Sequence, residues 1–76
     1  MSQRLPALKP KAVMRALERA GFELRTITGS HHRYVHPDDP TRWTIVPLHN
    51  RDLKTGTLHA IIKQAGFTNE EFIELL

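Results

Sequence analysis

The spacing of apolar residues changes period twice along this chain, and that change limits the fold more than any other feature. From Lys9 to Ala20, Val13, Met14, Leu17 and Ala20 fall at i, i+1, i+4 and i+7, the stripe of an amphipathic helix. Pro10 suits its first turn and Gly21 the position just past its end. From Phe22 to Thr28 the pattern alternates, with Phe22, Leu24 and Thr26 pointing one way and Glu23, Arg25 and Ile27 the other, as in a strand. Gly29-Ser30 then turns the chain into a second short strand, His32-Arg33-Tyr34-Val35-His36. Pro37-Asp38-Asp39-Pro40 carries the chemistry of a loop, and Arg42 to Val46 forms a third strand that Pro47 terminates.

Helical spacing returns at Leu58, Ile61, Ile62 and Ala65, which predicts a second helix over Thr57–Ala65 stopped by Gly66. Thr68-Asn69-Glu70-Glu71 is a capping-box sequence opening a last short helix that runs to Leu76. Phe72, Ile73 and Leu76 should close the core from that helix. Connections this short predict an antiparallel meander. Two helices on one face of it make an α+β sandwich in the order α-β-β-β-α, with the extra helix at the end. Residues 1–76 leave room for one domain and a small core.

The formal net charge of +3 conceals an asymmetry. Residues 1–63 hold 11 basic and 5 acidic side chains, whereas residues 64–76 hold 3 acidic side chains and no Lys or Arg. A positive body suits phosphate-rich partners, because neutralising phosphates releases counterions. With no cysteine there is neither a disulfide framework nor a thiolate metal site. The first eleven residues lack the apolar region of a secretory signal, and no run nears the ~18 apolar residues of a membrane span. The expectation is a soluble cytoplasmic protein with no membrane partner.

Chemistry concentrates at Gly29-Ser30-His31-His32. Glycine permits a sharp corner, and the histidines beside it bring the one side chain whose ordinary pKa, about 6.5, lets it exchange protons near neutrality. A metal site does not follow from these residues. His32 and His36 share a strand face but stand about 13 Å apart, His31 and His32 point to opposite faces, and no carboxylate completes a set. Ser30 is adjacent to His31 and so is not held by it as a nucleophile; a bond to backbone or to a phosphate oxygen suits it better. RNA cleavage asks for less. The ribose 2′-OH is the nucleophile, so the protein supplies only proton transfer and positive charge, with no metal and no cofactor.

His31 or His32 can move the proton, with Arg33, Arg25 or Lys54 as sources of charge. Against this stands a His31 that merely bonds to backbone in the turn. His49, in the loop after the third strand, is a weaker candidate. His36 precedes a proline and reads as structural, and His59 as a surface residue. Lys11, Arg15 and Arg19 recur every fourth residue along the first helix, either as its solvated side or as a track for phosphates.

These motifs, in this order, resemble the HicA toxins of bacterial HicA–HicB toxin–antitoxin pairs. The resemblance rests on Leu17-Glu18-Arg19-Ala20-Gly21-Phe22, the Gly29-Ser30-His31-His32 corner with Tyr34, and Thr44-Ile45-Val46-Pro47-Leu48-His49. It continues through Gly56-Thr57-Leu58, Ile61 to Phe67, and Glu71-Phe72. The resemblance implies a double-stranded-RNA-binding-like fold and a metal-independent ribonuclease that cuts mRNA and is held inactive by a HicB-like antitoxin. It places the catalytic histidine at His31, with His32 as second candidate because some members keep only that position, and Gly29 as the turn. Val46 is one residue more than the family has before its proline, which loosens the match at His49. The competing reading is a non-catalytic double-stranded RNA-binding module.

Overall fold

The computed structural model describes residues 4–76. Its elements are α1 (Pro10–Arg19), β1 (Glu23–Thr28), β2 (His31–His36), β3 (Asp39–Pro47), α2 (Thr55–Gln64) and α3 (Asn69–Ile73). The three strands form one antiparallel meander in the order β1-β2-β3. This is the expected α-β-β-β-α arrangement with a short closing helix. Among the described residues, no helix is long and apolar enough to cross a membrane.

Helix α1 starts at Pro10, whose missing N–H falls where no intrahelical partner exists. It buries Val13, Met14, Ala16 and Leu17 and leaves Lys11, Arg15, Glu18 and Arg19 in solvent. Helix α2 buries Leu58, Ile61 and Ile62, and α3 buries Phe72. These side chains meet Tyr34 and Val46 from one face of the sheet in a single core. Among the described residues no helix lies on the opposite face, and Trp43 and Ile45 are exposed on it.

Several details differ from the sequence expectation. The alternation in β1 breaks at a bulge, where pairing passes from Leu24↔Tyr34 to Thr26↔Arg33, so Arg25 is an extra residue. Directly paired residues share a face, so Thr26 joins Glu23 on the bare side and Ile27 joins Leu24 on the helix side. Asp39 and Pro40 lie within β3 instead of a loop, since His36 pairs with Asp39 and only Pro37-Asp38 make the turn. Thr41 gives Asp39 both a hydroxyl and a backbone hydrogen bond, at 2.6 and 3.2 Å, which hold its carboxyl below the usual range. Helix α2 begins at Thr55, two residues earlier than predicted, because nothing in Thr55-Gly56 opposes a helical first turn.

The last difference is at the C-terminus, where α3 ends at Ile73 and does not run to Leu76. Phe72 is fully buried and Ile73 half-buried, but Leu76 is exposed and Leu75 packs on the core in its place. The N–H of Leu75 reaches back three residues to Phe72, and that of Leu76 to Ile73. This tighter winding puts Leu75, not Leu76, above Phe72.

Arg42 ties the sheet to the end of α2. Its Nε donates to the Ala65 carbonyl at 2.7 Å, and its guanidinium lies 4.9 Å from the Phe67 ring centre and 5.4 Å from that of Phe22. Gly66 makes room for it: φ is +84°, and a Cβ there would sit 2.8 Å from Arg42 Nε.

Candidate active site

The corner that joins β1 to β2 is a two-residue turn. Gly29 has φ +59°, and among the described residues only glycines have positive φ, so Ser30 has negative φ and the pair shows a positive-φ first residue followed by a negative-φ one. That sign pattern belongs to a type II′ hairpin turn, which needs glycine first and matches the strands' twist. The predicted glycine corner is present, with β2 starting at His31 rather than His32.

Pairing decides where the histidines point. His31 lies opposite Thr28 and Pro47 on the bare face and is exposed. Arg33, two residues along the same strand, shares that face, about 7 Å from His31 by strand rise. His32 takes the helix side, opposite Ile27 and Val46, and is half-buried. Its Nδ1 lies 3.0 Å from the Ser30 carbonyl oxygen. A carbonyl only accepts, so this bond puts the proton on Nδ1 and leaves a lone pair on Nε2 of the neutral ring.

The same Ser30 oxygen accepts the Leu48 N–H at 2.7 Å. The loop after β3 therefore returns to the corner, as the sequence led one to look for, and brings His49 beside it. The Arg51 N–H donates to His49 Nδ1 at 3.1 Å, so the neutral His49 ring carries its proton on Nε2 and presents a donor. His49, Asn50, Arg51, Asp52 and Lys54 line an open hollow of about 440 Å³. Lys54 immediately precedes α2, and Lys9 immediately precedes α1. Asp52 offsets this charge only weakly, since its 4.0 Å contact with Lys9 joins two exposed side chains.

The structure does not bring all the predicted basic residues together. Lys11, Arg15 and Arg19 face solvent from the outer side of the helix layer, whereas His31 and Arg33 face away from the helices. Arg19 is partly committed elsewhere, because its Nη1 donates to the Leu75 carbonyl at 2.7 Å. Arg25, at the bulge, is paired with Glu23 at 3.2 Å. His36 is structural, with its ring edge-on to Phe22 at 5.1 Å and its Nδ1 accepting the Asp38 N–H. Among the described residues no three His, Asp or Glu side chains are grouped as metal ligands. Nothing in the sequence pattern marks Trp43, since a lone tryptophan in a strand looks like core, and only register shows otherwise.

A three-stranded meander with its helices on one face, in the order α-β-β-β-α, is the double-stranded-RNA-binding-like class of α+β fold. Within that class, the family model described as HicA toxin of bacterial toxin-antitoxin matches residues 10–67, from the first residue of α1 to just past α2. The chain belongs to the HicA toxin family, the toxins of bacterial toxin–antitoxin systems. No curated protein matches it.

Proposed function

We propose that the chain is a metal-independent endoribonuclease, one domain over residues 1–76, that cuts mRNA in the cytoplasm and is neutralised by a HicB-like antitoxin. The observation that supports this best is His31. It is an exposed imidazole beside a two-residue hairpin turn, on the same uncovered face as Arg33. In the reaction, the imidazole takes the proton of a ribose 2′-OH as that oxygen attacks the adjacent phosphorus. The bond to the 5′-oxygen breaks, that oxygen takes a proton from water as it leaves, the imidazolium returns its proton to the solvent, and the products are a 2′,3′-cyclic phosphate and a 5′-hydroxyl. Arg33 stabilises the negative charge that builds on the phosphorane. His31 is the first choice for base. His32 is the second, because its Nδ1–H bond to Ser30 leaves Nε2 able to accept a proton. His49 and Lys54 serve as donors to neighbouring phosphates at the mouth of the hollow.

The exposed stripe on α1 supports the second reading, a module that grips duplex RNA without cutting it. Labelled RNA incubated in EDTA with wild type, His31→Ala, His32→Ala and the double variant separates the two. Loss of the base lowers the rate by about 10²–10⁴ while RNA affinity is kept, and the wild-type products carry cyclic ends. Equal cleavage by wild type and the double variant removes the catalytic assignment, and EDTA-sensitive cleavage calls for a metal.

A further inference from the structure

We infer that Trp43 and Arg33 form a base-stacking platform on the bare sheet face, one that holds an unpaired nucleotide of single-stranded RNA close to His31. This rests on the nuclease reading and names the form of its substrate. The arrangement starts from register. Thr44 and Val46 are both fully buried on the helix side, so their neighbours Trp43 and Ile45 must point outward, where they are 38% and 39% exposed. An indole left 38% exposed on a sheet face withholds part of its surface from the core, where full burial would have stabilised the fold more. It is nevertheless held in place. Arg33, opposite Ile45 and diagonal to Trp43, sets its guanidinium 5.3 Å from the centre of the indole ring.

A flat aromatic surface beside a fixed positive charge fits one nucleotide: the base stacks on the ring and the phosphate meets the guanidinium. Duplex RNA keeps its base faces inside the helix and cannot use such a surface. The bare face is also continuous with the corner. Trp43 pairs with Val35, four residues from His31 along β2, so the platform and the imidazole stand about 13 Å apart along the strand. A strand anchored at Trp43 therefore reaches His31 within a few nucleotides. Trp43 is here a positioning residue, and charge complementarity with phosphate favours RNA over an apolar protein surface.

Trp43 is the sole tryptophan in the sequence, so its fluorescence reports the contact directly. Wild-type protein is titrated with a single-stranded 2′-O-methyl oligoribonucleotide, whose blocked oxygen cannot attack, and with the same oligonucleotide annealed to its complement. The single strand quenches Trp43 emission and the duplex does not. By anisotropy of the labelled single strand, Trp43→Ala and Trp43→Leu bind about 5- to 150-fold more weakly, the range for one stacked base, whereas Trp43→Phe stays near wild type. Equal affinity for Trp43→Leu and wild type overturns the platform. Emission unmoved by RNA but shifted by a HicB-like antitoxin also overturns it and makes the face a protein contact. Because the strand cannot be cut, quenching by it without cleavage of ordinary RNA supports the platform and defeats only the nuclease reading, while cleavage without quenching defeats the platform alone.

Discussion

Replacing Arg42 with alanine tests whether one side chain fastens the sheet to the helix layer. The hydrogen bond from a charged donor to the Ala65 carbonyl contributes roughly 1.5–3 kcal/mol. The two aromatic contacts, with Phe22 and Phe67, add roughly 0.5–1 kcal/mol each at a partly exposed position. These do not sum fully, because water takes over the carbonyl in the variant and one guanidinium serves both rings. A net loss of about 2 kcal/mol is expected for Arg42→Ala, or a Tm lower by about 8–16 °C for a domain of this size. Arg42→Lys keeps the charge but not the planar donor geometry and recovers only about half. Urea unfolding followed by far-UV circular dichroism measures both. A second comparison pairs Arg42→Ala with Phe67→Leu, whose effects should be coupled by about 0.5–1 kcal/mol. If Arg42→Ala lies within 0.5 kcal/mol of wild type at unchanged m-value, the fastening argument is wrong.

Gly29→Ala forces a left-handed backbone on a residue with a Cβ that touches nothing within 4 Å, so the whole cost is conformational, about 1 kcal/mol, and Gly29→Asn costs less; thermal melts rank the three. Burial, with a smaller contribution from the negative charge of Glu18, raises the Tyr34 hydroxyl above its ordinary value. The unfolded chain then ionises first as pH rises past about 10, stability falls there, and Tyr34→Phe should flatten that alkaline limb in urea midpoints while leaving neutral pH unchanged. An imidazole base must be neutral to accept a proton, so RNA cleavage should decline as the pH is lowered from about 8 to about 5; a flat rate over that span would exclude a histidine base. Arg33→Ala should lessen the slope of log affinity for single-stranded RNA against log salt by about one, whereas Arg19→Ala, on the opposite side of the molecule, should not change it.

Much of this was legible in the residues alone. Pro10, Gly21, Gly66 and the two apolar stripes bracket the helices because they act locally, through φ and i, i+4 spacing. Gly29 marks the corner for the same reason. What the sequence hides is register. A single extra residue, Arg25, inverts the facing of everything after it in β1. In β3 hydropathy points the wrong way: Thr44 is buried, with its hydroxyl donating to Gln64 at 2.9 Å, while the larger Trp43 and Ile45 are outside. The facing of His31 against His32 follows from the same pairing and not from either residue's chemistry. Arg42 escapes notice because its partners, Ala65 and Phe67, lie more than twenty positions away, beyond any local pattern.

A sheet clothed on one side only divides its own sequence by parity. Along β2 and the core-proximal half of β3, positions 31, 33, 43 and 45 meet the surroundings, Val35 beside Trp43 is the buried exception among the odd positions, and positions 34, 44 and 46 hold the chain together. Alterations at the exposed polar sites among them, His31 and Arg33, should leave a properly assembled molecule, so whatever they abolish can be blamed on lost contact or lost chemistry and not on collapse.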